Sequence, residues 1–466
     1  MIFNNAINLL TREELIKIYI DEFNASKVRN LMIKGEKYYK VENDILKREM
    51  IRYEDERPVH DETKANHRLA HGFMHEMVED KINYLLTKPY TMTCDDEAYL
   101  KVVETTLGKR FQKKLSQLGT ETSNKGIAWL HNYIDANGQF KIMRIPSEQC
   151  IPEWVDNDHE ELQALIRYYD VEVYEGKTKK YITKIEYWTP DNVEYYVMQD
   201  GQVIIDAEMY LDDENNYEGH FKVNNEAHSW ERVPFVPFKN NDYELPDLQF
   251  VKTLIDDYDL TRSDVSNLLD EIKDIIYALR GYGGENLSEF MRDLSYYKAV
   301  KLDDDGGIDK VEHTISIDAA EKHYQQLKRD VNAFGGGVDK DSDTIGNSPS
   351  GIALKFLFSG LDMKCNAMED NFKWGFEQLL YFVNMYLQVT NQATSDKEIQ
   401  IVFNRDIAIN ESQAITDCQQ SMGVISNQTI IENHPWTKSY EDEKKKIDEE
   451  NKSDEVDLFN NEEGDA

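Results

Sequence analysis

Apolar residues change their spacing several times along the chain, and each change marks an element. Leu15, Ile18, Phe23 and Val28 stand among charges behind Thr11-Arg12-Glu13-Glu14, a capping-box pattern, so a helix is expected from Thr11 to Lys34. Leu69, Phe73, Met77, Val78, Ile82 and Leu85 predict a second helix between Asp61 and Lys88, stopped by Pro89. From Ile127 to Phe238 short β-rich runs take over: Gln139 to Ile145, Leu165 to Tyr174, Thr183 to Trp188, Glu194 to Met198 and Gln202 to Ile205. Asn137-Gly138 and Asp200-Gly201 supply turns, and the region reads as mostly antiparallel α+β.

Helical spacing returns after Pro246. Leu254, Tyr258, Thr261, Val265, Leu268, Ile272 and Ile275 alternate steps of four and three, which describes one helix of about 33 residues, roughly 50 Å long, packed against long neighbours. Arg280 to Gly284 breaks it, and Tyr297 to Leu302 with the turn at Asp303 to Gly307 reads as strand and hairpin. A further helix begins at Asp318, where Asp318 and Glu321 form a capping pair, and runs through Tyr324, Leu327 and Val331 to Gly335-Gly336-Gly337. A polar loop leads to Ser348-Pro349, and Ile352 to Val389 is a very long helix in which Gly360 and Gly375 predict a kink.

At 466 residues the chain exceeds one ordinary core, so several units are expected, and 40% hydrophobic with 11% aromatic residues folds most of the length. The net charge of -36 argues against a tightly gripped nucleic acid. It does not argue against DNA passing by, because a wall poor in Lys and Arg releases few counterions and adheres weakly. Residues 441–466 carry 12 acidic and 4 basic side chains, so disorder is expected at their end. The four cysteines, Cys94, Cys150, Cys365 and Cys418, form no ligand spacing or disulfide framework, which fits a reducing, cytosolic folding environment. No window suits a membrane span or a signal peptide, and no membrane partner is expected.

Catalytic chemistry is hard to place. His67, His71 and His75 recur every four residues on the expected second helix, with Glu79 following, and could line a metal along one face. The zincin pattern HExxH is not met, because His75-Glu76 is followed by Glu79, and a solvated or packed histidine face is the preferred reading. Asp339, Asp341 and Asp343 resemble the start of a calcium loop, but Thr344 and Ser350 stand where that loop needs Gly and Glu. There is no Walker A sequence and no GxSxG, so an enzyme is disfavoured and no metal or cofactor is expected.

Several segments, taken in order, resemble the siphophage-type portal family of tailed bacteriophages. They are Tyr38-Tyr39 with Asp44-Ile45-Leu46-Lys47-Arg48; Tyr84-Leu85-Leu86-Thr87-Lys88-Pro89; Val233-Pro234-Phe235-Val236-Pro237-Phe238-Lys239-Asn240-Asn241; Ser348-Pro349-Ser350-Gly351; and Gly423-Val424-Ile425-Ser426 with Thr429. The resemblance implies an α+β portal fold and a ring, usually of about twelve subunits, around an axial tunnel. It implies a wing over residues 1–245, a first stem helix over 246–274, a clip over 275–317 and a second stem helix over 318–334. A tunnel loop over 335–348, a long kinked wing helix over 349–391, and a crown with the acidic tail over 392–466 complete the map.

On that map the tunnel-loop residues are Gly335, Gly336, Gly337, Asp339, Lys340, Asp341 and Asp343, with Lys340 the one cation there able to touch phosphate. Arg280, Lys298 and Lys301 are the clip cations for partner docking. The implied partners are double-stranded DNA without sequence preference, the terminase large subunit, head-tail connector proteins, and major capsid and scaffolding proteins. The implied location is the portal vertex of the virion, with assembly in the host cytoplasm. A metal-dependent hydrolase using His67, His71 and His75, and a scaffold that assembles through the long helices without DNA, are the alternatives.

Overall fold

A computed structural model describes residues 10–54, 57–61, 64–210, 219–223, 226–271, 276–280, 307–311, 317–340, 351–405, 411–437, 440 and 443–450. The expected first helix is two. Helix α1 (Arg12–Ala25) has the capping box as read, with Thr11 accepting from the Glu14 amide and Glu14 reaching back to the Thr11 amide. Ser26 then ends it and caps α2 (Lys27–Tyr39), because its hydroxyl accepts from the Arg29 amide. The second expected helix is shorter than its pattern: α3 spans Phe73–Leu86, and residues 64–72 are not helical. Two more helices follow, α4 (Glu97–Leu107) and α5 (Phe111–Lys125).

The β region is antiparallel throughout its named pairs. Strands β6 (Cys150–Trp154), β7 (Leu162–Glu175), β8 (Thr178–Trp188), β9 (Val193–Gln199) and β10 (Gln202–Ile205) form one meander in the order β10-β9-β8-β7-β6. A second sheet has the order β13-β4-β5, from β13 (Phe235–Lys239), β4 (Ile127–Ile134) and β5 (Phe140–Ile145). Ile16 and Ile20 of α1 pack on Ile166, Ile185 and Tyr196 of the meander, while Trp129, Leu165, Trp188 and Phe235 fill the space between the sheets. The fold class is therefore α+β, as expected.

The largest core gathers α3, α4, α5, the second sheet and the longest helix, Gly351–Val389. In chain order, two long helices, α6 (Leu248–Glu271) and α7 (Ile317–Gly335), come between that sheet and this helix, so the longest helix is α8. The 24 residues of α6 rise about 36 Å at 1.5 Å each, shorter than the expected 50 Å; residues 272–275 lie outside the described set. A hairpin of Ile276–Arg280 paired with Gly307–Val311 connects the far ends of α6 and α7.

Helix α8 runs unbroken through both of its glycines. Gly375 is explained by packing: a Cβ there would stand 2.8 Å from the Phe238 ring, which meets Phe372 at 5.0 Å between centroids. Gly360 has nothing within 4 Å of its would-be Cβ. Gly375→Ala is expected to destabilise the protein by about 1–3 kcal/mol through overpacking, and Gly360→Ala to stabilise it by about 0.5–1 kcal/mol through helix propensity. Urea unfolding of the two variants checks the opposite signs.

Candidate functional site: a paired helical arm and its anchorage

The arm is the antiparallel pair of α6 and α7. Its seam is the stripe read from the sequence: the Tyr258 ring lies 5.9 Å from that of Tyr324, the Tyr324 hydroxyl donates to the Thr261 carbonyl at 3.4 Å, and the Arg262 guanidinium lies 4.8 Å from the Tyr324 ring. Tyr324, Leu327 and Val331 are buried. The seam residues of α6 are only half-buried in the single chain.

A different face of α6 is fully buried and was not foreseen. It runs Val251, Ile255, Asp259, Ser263, Asn267, at steps of four, and turns from apolar to polar halfway along. The polar half holds an extended segment. Asn267 Oδ1 accepts from the His67 amide at 2.6 Å, Ser263 Oγ from the Leu69 amide at 3.0 Å, and Asp259 Oδ1 from the His71 amide at 3.0 Å. The match is geometric: two residues of extended chain advance about 6.6 Å and four helical residues about 6 Å, so alternate amides meet every fourth side chain. This explains why residues 64–72 are not helical, since their amides are taken by α6 rather than by their own carbonyls.

The histidine row does not survive as a metal face. His67 Nε2 is paired with Asp270, His71 Nδ1 meets Asp259 at 2.7 Å, and His75 Nδ1 contacts the Tyr39 carbonyl at 3.2 Å. Only His75 is on α3, so four-residue spacing places the three on no common helical face. Among the described residues no group of three or more His, Cys, Asp or Glu side chains is placed to hold a metal ion.

At the body end of the arm lies a buried charge cluster. Asp247, unexposed and one residue ahead of α6, accepts from Lys81 of α3 at 3.2 Å, from Lys364 of α8 at 3.2 Å and from the Asn240 side chain at 2.9 Å. Lys81 also donates to Asn240, and Lys364 donates to the Gly335 carbonyl at 2.5 Å. Burial alone raises the Asp247 pKa, but Lys364 and Lys81 outweigh it and hold the carboxyl below its usual range. Burial pushes the Lys81 ammonium down, against the pull of Asp247. A lysine inside the apolar stripe of Val78, Ile82 and Leu85 was the sequence signal for this cluster.

The glycine turn closes α7. Gly336 has φ +64, and the Gly337 amide donates to the Asn332 carbonyl at 2.9 Å, a left-handed helix end that favours glycine. Gly335 serves proximity, because a Cβ there would lie 2.2 Å from Met77 Sδ of α3. The segment that follows is anchored more firmly than its composition suggests. Val338 is buried, and Lys340 Nζ meets Glu76 at 3.0 Å and Asp80 at 2.9 Å. Burial opposes the Lys340 charge, yet Asp80 and Glu76 raise its pKa above the ordinary lysine value. Lys340 is thus tethered to α3 by its own chain, and Asp339 precedes it in the same described stretch.

Asp341, Asp343 and Ser348-Pro349 lie outside the described residues. So do Lys298 and Lys301, while Arg280 ends the first hairpin strand opposite Gly307.

The extended segment on α6 gives a direct expectation. The amides of His67, Leu69 and His71 exchange slowly with solvent, and Ser263→Ala speeds exchange at Leu69 first; residue-resolved hydrogen exchange reads this, and equal rates along residues 66–72 would contradict it.

Comparison with known proteins adds the identity of the architecture. The family model described as "Phage portal protein, SPP1 Gp6-like" matches residues 16–457. A curated "Portal protein" of Bacillus phage SPP1 is 32% identical over 420 residues, covering 89% of this chain and 82% of that protein. A "Portal protein" of Clostridium phage phiCD119 is 31% identical over 414 residues, covering 85% and 87%. Among solved structures, a chain from "Neck of empty GTA particle computed with C6 symmetry" overlaps 77% of this chain and 88% of its own length, with a TM-score of 0.44 and 11% identity. With nearly the whole length matched, from the first helix to the last described one, the chain belongs to the SPP1-type phage portal protein family.

Proposed function

We propose that this chain is the subunit of a ring at one vertex of a tailed-phage capsid, the conduit through which double-stranded DNA is packaged, retained and ejected. The supporting observation is the family match over residues 16–457. In this reading the wing is residues 1–245, the stem helices 246–274 and 318–334, the clip 275–317, the tunnel loop 335–348, the long wing helix 349–391, and the crown and acidic tail 392–466. The α6 and α7 pair is then the stem, and the hairpin that joins their far ends belongs to the clip.

The geometry suits these roles. The antiparallel arm carries its hairpin about 36 Å from the Asp247 cluster, a reach that separates a docking platform from the body. The terminase large subunit and later the head-tail connector proteins dock on this clip, with Arg280, Lys298 and Lys301 as its cations. Major capsid and scaffolding proteins meet the wing. The half-buried seam of the arm leaves side surface for neighbouring copies, and the charge of -36 per chain keeps a DNA path weakly adhesive.

Lys340, half-exposed beside Glu76 and Asp80, is the one cation of this loop able to touch phosphate, with Gly335, Gly336, Gly337, Asp339, Asp341 and Asp343 making up the rest of its site. No helix among the described residues is long and apolar enough to cross a membrane. The proposed site of action is the portal vertex of the virion, reached by assembly in the host cytoplasm. No reaction is assigned to the chain.

Electron microscopy of the purified protein should show closed rings with a central hole. A variant in which a short Gly-Ser turn replaces residues 283–306 should still form rings but package no DNA. A small open oligomer from the parent chain, or normal packaging by the variant, would contradict the proposal.

A further inference from the structure

A cavity of about 640 Å³ opens between α4, β5 and the C-terminal end of α8. Its size is that of a ligand pocket, roughly 300–1,000 Å³. Three lysines line it, Lys101, Lys114 and Lys141, and no Asp or Glu does. In a chain of net charge -36 this wall inverts the local sign.

The lysines are poorly compensated. Lys101 has no carboxylate partner among the described residues, and Lys141 meets Asp135 only at 3.7 Å. Lys114 is half-buried and donates to the Ile142 carbonyl, a neutral group. Burial first, and then the Lys141 charge, push its pKa down, so a bound anion would relieve both lysines.

The remaining wall selects among anions. Val102, Leu107, Phe140 and Ile142 give it an apolar half. The Thr105 and Thr106 hydroxyls donate back to their own helix, at 2.7 Å to the Lys101 carbonyl and 2.9 Å to the Val102 carbonyl. Arginine forks are absent from the lining, so the fixed, planar donor set that grips phosphate is missing. Flexible ammonium groups beside apolar walls suit carboxylate side chains interleaved with apolar ones.

We propose that this cavity binds an acidic and apolar peptide segment, and that the occupant is residues 453–463 of this chain, from the same or a neighbouring copy. That stretch reads Ser453-Asp454-Glu455-Val456-Asp457-Leu458-Phe459-Asn460-Asn461-Glu462-Glu463 and lies outside the described residues. Its carboxylates are interspersed with Val456, Leu458 and Phe459, so it offers both charge for the lysines and apolar side chains for the apolar half of the wall. The acidic tail thereby gains a role as an intrachain or intersubunit latch on the α4 and β5 face.

Zero-length carbodiimide coupling on the full-length protein, read by peptide mass spectrometry, tests this. Cross-links between Lys101, Lys114 or Lys141 and the carboxylates of residues 453–463 are expected. They should fall at least tenfold in 1 M salt and in the Lys101→Glu, Lys141→Glu double variant, whose circular dichroism should match the parent. Mixing isotopically labelled and unlabelled copies before assembly separates the two sources: mixed-mass pairs mark a neighbouring copy, uniform pairs the same chain. Absence of these cross-links, or their displacement by inorganic phosphate at the concentration of a sulfate control that leaves them intact, would overturn the proposal.

Discussion

A carboxylate with no exposure to water, Asp247, is shared between Lys81 and Lys364, and the placement of the arm depends on it. Asp247 immediately precedes the first arm helix, Lys81 belongs to α3, and Lys364 belongs to α8 and also holds the last carbonyl of the second arm helix at Gly335. One cluster therefore fixes both arm helices to the body at one level. Such groups are costly to bury singly and tolerable together, so the cluster specifies a position more than it adds stability. The Asp247 amide donates to the Ser123 carbonyl at 2.8 Å, which ties α5 to the same point.

From that level outward, α6 is held on two sides by different chemistry. The seam with α7 is aromatic and half-buried, while the opposite grip is a row of polar side chains that take alternate amides of residues 67–71. Asp44 and Arg48 add ion pairs to Lys252 at 2.9 Å and Asp264 at 2.5 Å. Helix α6 is thus clamped along its length by side chains and amides of residues 44–71.

Much of this was legible in the sequence. The capping box at Thr11, the meander, the seam stripe from Leu254 to Leu268 and the glycine end of α7 follow from local rules, because each is decided by neighbours in sequence. The failures are tertiary. Residues 64–72 were expected within the second helix, but His67, Leu69 and His71 give their amides to α6, roughly 200 positions away. The role of Gly375 as a seat for Phe238 had no signal in the sequence. Nor did the pairing of Lys340 with Glu76 and Asp80, more than 250 positions away. The segments that carried the family resemblance turn out to contain contact residues, among them Asn240 in the charge cluster and Tyr84, whose hydroxyl donates to Asp362 at 2.9 Å. Their order was readable, but their partners were not.

The central claim is that Asp247 holds the arm to the body, and the urea unfolding of two single variants tests it most directly. Asp247→Asn leaves Lys81 buried without its carboxylate and should lower stability by about 3–5 kcal/mol. Lys81→Met leaves Asp247 with Lys364 and Asn240 and should cost clearly less. The advantage of the parent over Asp247→Asn should persist above the ordinary Asp pKa of about 3.9 and shrink as pH falls through the depressed folded value, because the folded carboxyl resists protonation. An Asp247→Asn variant within about 0.5 kcal/mol of the parent at neutral pH, or a larger loss in Lys81→Met, would contradict the account.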